Sequence, residues 1–182
     1  MVSSAAMSPL ADRTIATVGS GVMAEAMIVG LLRGNLVTPS QVVASHPRAE
    51  RRAALEEAHG IRVVASNAEA VDGADVIILA VKPQTLAKVG REIAAHLRPG
   101  QLVLSVLAGP TTGALVATLD HDQVVRAMPN TPARIGSGMT VWYATPACTG
   151  DQRAQARALL SALGVELEVE EEKWVAMATA IS

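Results

Sequence analysis

Short apolar segments and helix-forming segments alternate along almost the whole chain, and this alternation is the feature that most constrains the fold. A β-branched apolar run is followed by a stretch with helical spacing, and the pattern then repeats. Such alternation predicts βαβ units and therefore an α/β fold with a doubly wound, mainly parallel sheet. The predicted strands are 14–19, 41–47, 61–66, 75–83, 101–109, 123–129, 138–145 and 164–170. The predicted helices between them are 23–34, 48–60, 67–73, 85–97, 111–118 and 150–163.

Composition excludes several functional classes. Half of the 182 residues are hydrophobic, which indicates a globular core. The 15 basic and 17 acidic residues give a net charge of −2, so we expect no nucleic-acid partner. No uninterrupted apolar run reaches the roughly 18 residues of a membrane span, so we expect no membrane partner.

The first residues of the chain and its cysteine content indicate the cellular compartment in which we expect the protein. Residues 1–13 have neither a basic segment nor a long apolar core, so we expect a frayed N-terminus and not a signal peptide. The single Cys148 cannot form an internal disulfide, which makes the reducing cytoplasm the expected compartment.

A glycine-rich turn, Gly-Ser-Gly-Val-Met-Ala, joins the first predicted strand to the first predicted helix. It fits the pattern G-x-G-x-x-A, in which the first glycine permits a tight turn and the second lets the backbone approach a pyrophosphate. The small third residue lets the helix pack closely, and the helix N-terminus offers free amides to an anion. The alternative is a glycine-bearing turn that holds no ligand. The predicted pyrophosphate-binding residues are Gly19, Ser20, Gly21, Val22, Met23 and Ala24.

The end of the second predicted strand indicates which dinucleotide is preferred. A site selective for NAD has an acidic side chain there for the ribose 2′-hydroxyl. Here no acidic residue precedes Glu50, and Ser45, His46 and Arg48 are polar or basic. Such groups attract a 2′-phosphate, so we predict that NADPH is preferred over NADH. The alternative is a solvated helix start that is rich in basic residues.

Three further strand ends carry distinctive motifs: "AVKPQ" at 80–84, "SVLAG" at 105–109 and "VRAMPNTPARIGSG" at 125–138. Each alone is compatible with ordinary turn chemistry. Together with "GSGVMA", "NAEAVDGADVIILAVKPQ" and "EEEKWVAMATAIS", in this order, they make the chain resemble the pyrroline-5-carboxylate reductase family. The resemblance covers about residues 14–182.

The resemblance implies a Rossmann-type NADP-binding domain over residues 14–170 that passes a hydride to the C=N carbon of a small cyclic imino acid. It implies no metal, and it leaves the catalytic residues unassigned. Besides the glycine turn and the end of the second strand, the cofactor-binding residues that it implies are Asn67, Ala80, Val81, Lys82, Pro83, Ala108 and Gly109. The residues that it implies near the nicotinamide or the substrate are Met128, Pro129, Asn130 and Thr131.

Members of this family continue into an all-helical dimerisation domain, and residues 171–182 resemble its start, with Ala176 where the family pattern has Asp. We therefore expect this domain to be missing and the reductase activity to be impaired. The apolar stripe in 171–182 predicts a homo-oligomer contact, with a monomer as the alternative. Two other functions stay open: a non-catalytic dinucleotide-binding module, and another small Rossmann NADP oxidoreductase such as a deazaflavin-dependent NADP reductase.

Overall fold

The computed structural model describes residues 8–180, except for the side chains of residues 131, 134, 179 and 180. Within this range eight strands form one sheet in the order β3-β2-β1-β4-β5-β6-β7-β8. The strands are β1 Ile15–Val18, β2 Val42–Ser45, β3 Arg62–Val64, β4 Val76–Leu79, β5 Leu102–Ser105, β6 Val124–Pro129, β7 Gly138–Ala144 and β8 Gly164–Glu168. The helices are α1 Val22–Arg33, α2 Ala49–His59, α3 Asn67–Val71, α4 Leu86–Ile93, α5 Thr112–Leu119, α6 Gly150–Ser161 and α7 Lys173–Ala180.

All neighbouring strands are parallel except β6 and β7, which confirms the predicted α/β fold with a mainly parallel sheet. Every residue of β1, β4 and β5 is buried. Continuous apolar runs produce such strands because helices cover both faces of the sheet. Helices α1, α2 and α6 pack on one face, around residues such as Met27 and Trp142. Helices α3, α4 and α5 pack on the other, around residues such as Ile77 and Leu115.

Side chains cap the N-termini of α3, α5 and α6, through Ser66, Thr111 and Thr149. Thr149 and Gln152 form the predicted capping box at the start of α6. The predicted helix 85–97 is shorter in the structure, because α4 ends at Ile93 and the 3-10 turn Ala94–His96 follows. The Leu97 amide donates to the carbonyls of both Ile93 and Ala94, the tightening that is common at helix ends.

The chain before β1 packs more closely than the predicted frayed N-terminus. Leu10 is fully buried in the core beside α1. The Gln41 amide Nε2 donates to the carbonyls of Leu10 and Arg13, at 3.0 and 2.9 Å. Residues 8–13 are therefore tied to the domain, whereas residues 1–7, which belong to the same prediction, lie outside the described residues.

Helix α7 lies against β6 and β7. Glu172, just before its first turn, accepts hydrogen bonds from the amide and hydroxyl of Thr112 and from the guanidinium of Arg126. Residues 181 and 182 of the predicted oligomer segment lie outside the described range. Nowhere between residues 8 and 180 is a helix both long and apolar enough to cross a membrane.

Candidate functional site

A cleft of about 520 Å³ opens where the carboxyl ends of β1 and β4 lie side by side. The chain order reverses between these two strands, and doubly wound sheets bind ligands at this position. Nine of the residues predicted from the sequence line the cleft: Gly19, Ser20, Gly21, Ser45, His46, Asn67, Ala80, Val81 and Lys82. Residues from four strand ends, far apart in the chain, therefore meet in one place.

The two glycines of the turn have different structural roles. Gly19 has φ +85°, and a Cβ there would lie 2.9 Å from Val81 Cγ1 and 3.0 Å from the Ala80 carbonyl oxygen. Gly21 has an ordinary φ of −77°, and a Cβ there would have no described atom within 4 Å beyond its chain neighbours and the backbone of its own helix. Gly19 is thus required by the fold, whereas Gly21 keeps space open in the cleft.

The start of α1 offers backbone donors next to that space. Gly21 is the N-cap and supplies no side-chain cap, and the backbone bond from Glu25 to Gly21 closes the first turn. The amides of residues 22–24 precede that bond and lack intrahelical acceptors. Together with the helix dipole they form a site suited to an anionic group such as a pyrophosphate. The fully buried Ala24 lets the helix approach the sheet, as expected for the third position of the motif.

The end of β2 fixes the glycine turn from the side. Ser45 Oγ accepts the Gly19 amide at 3.2 Å, and Ser20 Oγ donates to the Ser45 carbonyl at 2.8 Å. Both serines are buried. Ser45 is therefore a support of the turn as well as a lining residue.

Three arginines follow β2, and two of them are engaged within the protein. Arg51 pairs with Glu25, and Arg52 donates to the carbonyls of His46 and Pro47. Arg48 is exposed, does not itself line the cleft although its chain neighbour Pro47 does, and forms no side-chain hydrogen bond or ion pair with a described residue. Of the three, Arg48 has the guanidinium that is available to a ligand.

Two titratable groups near the turn are shifted. Burial raises the pKa of Glu25, but hydrogen bonds from Arg51 and His59 outweigh it and hold that pKa below the ordinary value. Burial, together with the charges of the nearby arginines, lowers the pKa of His46. His46 Nδ1 accepts the Arg48 amide at 3.2 Å, so a neutral imidazole there carries its proton on Nε2 and acts as a donor.

Helix α4 and the turn before it form a wall of the cleft that was not predicted from the sequence. Thr85, Lys88, Val89 and Glu92 line it, as do Pro47 and Ala65 from other elements. The spacing 85, 88, 92 places residues on one helical face, and starting from Lys82 this periodicity is the signal that could have found them. Lys82 and Lys88 bring two cations to the cleft.

The remaining predicted residues lie outside the lining of this cleft. Pro83 begins a 3-10 turn, and Val22 and Met23 belong to the first turn of α1. Ala108 and Gly109 are exposed after β5. Met128 and Pro129 end β6, and Asn130 caps the following 3-10 turn Thr131–Ile135, which packs against α1. The side chain of Thr131 is outside the described set.

Asn130 gives the loop after β6 a defined shape. Its side-chain oxygen accepts the Met139 amide at 3.0 Å, and its own amide donates to the Met139 carbonyl. These bonds fix the loop at the carboxyl edge of the sheet, the same edge as the cleft.

Comparison with known proteins places the chain in context. Residues 14–109 match the family model described as NADP oxidoreductase coenzyme F420-dependent. The chain is 43% identical over 169 residues to the curated pyrroline-5-carboxylate reductase of Pseudomonas aeruginosa, covering 92% of this chain and 62% of that protein.

Solved structures agree on the architecture. A pyrroline-5-carboxylate reductase from Coxiella burnetii superposes with a TM-score of 0.89 at 29% identity, covering 93% of this chain and 63% of that one. The pyrroline carboxylate reductase of Plasmodium falciparum with NADP bound superposes with a TM-score of 0.83 at 24% identity, over 94% of this chain and 62% of that one. The chain thus spans a little over three fifths of the length of these proteins.

Proposed function

The chain belongs to the family described as NADP oxidoreductase coenzyme F420-dependent, and we propose that it acts in that family as a pyrroline-5-carboxylate reductase. The reaction is the NADPH-dependent reduction of 1-pyrroline-5-carboxylate to L-proline, the last step of proline biosynthesis, in the cytoplasm. The observation that carries the proposal is the cleft between β1 and β4, in which the glycine turn, Ser45, Asn67 and Lys82 converge. Similarity to the Pseudomonas enzyme over 92% of the chain supports the substrate class.

The cleft fits a dinucleotide. The open space at Gly21 and the free amides of the first turn of α1 would hold the pyrophosphate. Asn67 and Ser45 would face the adenosine ribose, and Ala80, Val81 and Lys82 would line the path towards the nicotinamide. We assign residues 14–170 to this NADP-binding domain and treat 171–182 as a segment of its own.

The end of β2 supports the preference for NADPH over NADH. The exposed Arg48 side chain has no hydrogen-bond or ion-pair partner among the described residues, and the Nε2–H of neutral His46 adds a donor. Neither group repels a phosphate, whereas an acidic side chain in this place would. We propose that Arg48 binds the 2′-phosphate.

When bound, NADPH supplies the hydride that reduces the C=N carbon, while the ring nitrogen takes up a proton. The chain's own contribution is to hold and orient the reactants. Ala108, Gly109 and residues 128–131 would shape the nicotinamide end, where the two Asn130 bonds to Met139 keep the loop in one conformation.

One alternative is another small NADP oxidoreductase, such as a deazaflavin-dependent one, and the description of the family favours it for residues 14–109. The similarity to pyrroline-5-carboxylate reductases continues well past residue 109, over 169 residues in all. That continuation includes the loop after β6, which is why we prefer the imino-acid substrate.

A direct assay tests the proposal. The purified chain is mixed with NADPH and 1-pyrroline-5-carboxylate, and the loss of NADPH absorbance is followed together with proline formation. Proline formed in step with NADPH loss is the expected result. Binding of NADPH with no turnover would favour the non-catalytic module, and turnover only with an oxidised deazaflavin would favour the other oxidoreductase.

We also propose that a second copy of the chain associates through residues 171–182. Helix α7 and β8 border an apolar groove of about 460 Å³, in which Leu167, Trp174 and Met177 are 48%, 46% and 56% exposed. Contiguous exposed apolar surface of this kind marks interaction sites.

Sedimentation velocity tests the association. We expect a dimer for the unmodified chain and a monomer for Met177→Asp, because a buried carboxylate opposes the contact. Ile135→Asp is the matched control, since Ile135 is 81% exposed but lies outside the groove. A monomer at every concentration for the unmodified chain would contradict the proposal.

A further inference from the structure

We propose that Glu92 is a positioning residue that fixes the glycine turn through Asn67 and Ser45, and thereby sets the affinity of the cleft for a dinucleotide. Glu92 lies on α4, Asn67 starts α3, Ser45 ends β2 and Gly19 follows β1. A continuous series of hydrogen bonds joins these four elements. The effect on dinucleotide affinity rests on the proposed function, whereas the effect on the glycine turn itself does not.

The series begins with a carboxylate that uses both oxygens. Glu92 Oε2 accepts from Asn67 Nδ2 at 3.0 Å, and Oε1 accepts from the Asn67 backbone amide at 3.3 Å. An amide side chain has one donor end and one acceptor end. Because Nδ2 faces Glu92, Asn67 Oδ1 must face the opposite way, towards β2.

Ser45 connects Asn67 to the glycine turn through its hydroxyl group. Its Oγ lies 2.6 Å from Asn67 Oδ1 and 3.3 Å from the Thr17 carbonyl, and the hydroxyl has a single proton to donate. With the proton on the short bond to Asn67, a lone pair of Oγ is left for the Gly19 amide at 3.2 Å. Gly19 is the residue with φ +85° on which the tight turn depends.

Loss of Glu92 would free the Asn67 amide to turn its Nδ2 towards Ser45. The hydroxyl would then donate to Thr17 instead and accept from both Asn67 and Gly19, which weakens the bond that holds the turn. Bonds in such a series reinforce one another, so a change at one end reaches the other.

The negative charge of Glu92 allows a clear test, because loss of the charge and loss of the positioning role predict opposite changes in the affinity for NADPH. A carboxylate in the cleft repels a phosphate-bearing ligand, so removing it would by charge alone tighten NADPH binding. Positioning predicts weaker binding.

The experiment compares Glu92→Ala and Glu92→Gln with Glu69→Gln in the full chain. Glu69 is a matched control: it is an exposed glutamate on α3 that pairs with Arg62 and does not line the cleft. We expect the Kd for NADPH to rise about three- to tenfold in Glu92→Ala, the size of one or two lost hydrogen bonds. Glu92→Gln keeps one acceptor oxygen and should rescue part of the loss, and Glu69→Gln should bind like the unmodified chain.

A second measurement needs no cofactor. Hydrogen exchange of the Gly19 amide, followed by NMR in the ligand-free chain, should become at least about threefold faster in Glu92→Ala. Exchange in the central strands β4 and β5 should stay unchanged, which a general loss of stability would not permit.

The outcomes separate this inference from the proposed function. Unchanged Gly19 exchange, or tighter NADPH binding in Glu92→Ala, would overturn the positioning role. If the unmodified chain does not bind NADPH at all, the proposed function fails, and Gly19 exchange alone then decides this inference.

Discussion

At the scale of single residues, neighbouring positions of one motif carry separate demands. Gly19 is needed for the backbone conformation of the turn, because its positive φ and its close approach to Ala80 and Val81 leave no space for a Cβ. Gly21 leaves the cleft open: its φ of −77° suits any residue, and the space in front of it is unfilled. The sequence pattern assigns a tight turn to the first glycine and close backbone approach to the second, and the structure shows the backbone geometry that separates them.

Substitutions at the two glycines should therefore have different effects. We expect Gly19→Ala to lower the free energy of unfolding by about 1–3 kcal/mol, because a strained φ and a close contact are combined. Gly21→Val should lower stability by no more than about 1 kcal/mol, the size of a less favourable N-cap residue. It should nevertheless raise the Kd for NADPH at least about tenfold, because the side chain would occupy the space proposed for the pyrophosphate.

Urea unfolding and fluorescence titration with NADPH measure the two effects. A Gly21→Val variant that binds NADPH normally would show that the pyrophosphate lies elsewhere.

A substitution at Arg48 tests the proposed preference for NADPH over NADH. Arg48→Glu places a negative charge beside the proposed 2′-phosphate position, and we expect the Kd for NADPH to rise at least about tenfold. The Kd for NADH, which lacks that phosphate, should change by less than about threefold. Arg33→Glu, an exposed arginine in the last turn of α1, is the control and should affect neither. Equal losses for both cofactors would contradict the 2′-phosphate assignment.

At the scale of elements, Glu172 connects three parts of the fold. Its carboxylate accepts the Thr112 amide and hydroxyl, both at 2.7 Å, at the start of α5, and it pairs with Arg126 of β6 at 2.8 Å. The Arg126 side chain is only 5% exposed. Burial raises the pKa of Glu172, but the bonds from Thr112 and Arg126 outweigh it and hold that pKa below its ordinary value. Helix α7 is thus anchored to the sheet by the residue that precedes its first turn.

Removal of this carboxylate should cost stability. We expect Glu172→Gln to lower the free energy of unfolding at pH 7 by about 2–3 kcal/mol, because it leaves the buried Arg126 without its counter-charge. Glu171→Gln is the matched control. Glu171 is exposed, and within the part of the chain that the structure describes its one ion pair is with the exposed Lys173, so its loss should cost less than about 1 kcal/mol.

The lowered pKa of Glu172 predicts that its contribution to the free energy of unfolding depends on pH, and the same two variants can test this. The pKa of Glu172 lies lower in the folded chain than its ordinary 4.5, so the unfolded chain binds more protons at this site. The stability that Glu172 contributes is therefore complete well above pH 4.5 and is lost as the pH falls through the folded pKa. Urea unfolding of both variants between pH 7 and pH 3 should show the difference caused by Glu172→Gln shrinking on the acid side. A difference that stays constant with pH would show that the pair does not depend on charge.

At the scale of the whole molecule, the cleft gathers residues from four strand ends and one helix, so ligand binding should stabilise the fold as a unit. A ligand that binds only the folded state at about 100 times its Kd adds about 2.7 kcal/mol. For a chain of this size we expect NADPH to raise the Tm by about 5–10 °C. NADH at the same concentration should raise it less if Arg48 binds the 2′-phosphate, and differential scanning calorimetry measures both. Equal shifts with the two cofactors would contradict the preference.

The sequence by itself determined what depends on near neighbours in the chain. Alternating apolar runs and helical spacing specified the strands and helices to within a few residues, and turn chemistry specified the glycine turn and the capping box of Thr149 and Gln152. These features were predictable because a βα turn or a helix cap involves only residues a few positions apart. The residues that meet at the cleft were predictable in part because parallel strands bring their carboxyl ends to one edge.

The tertiary structure alone decided what depends on register and packing across long separations. Glu92 reaches Asn67 from 25 residues away, Glu172 reaches Arg126 from 46, and Leu10 enters the core although it precedes the first strand. No local period encodes these contacts, because strand order and helix placement determine which side chains meet. The wall of the cleft formed by α4 and the turn before it depends on both the sequence and the packing: the spacing of residues 82, 85, 88 and 92 puts them on one helical face, but only the tertiary structure places that face at the cleft.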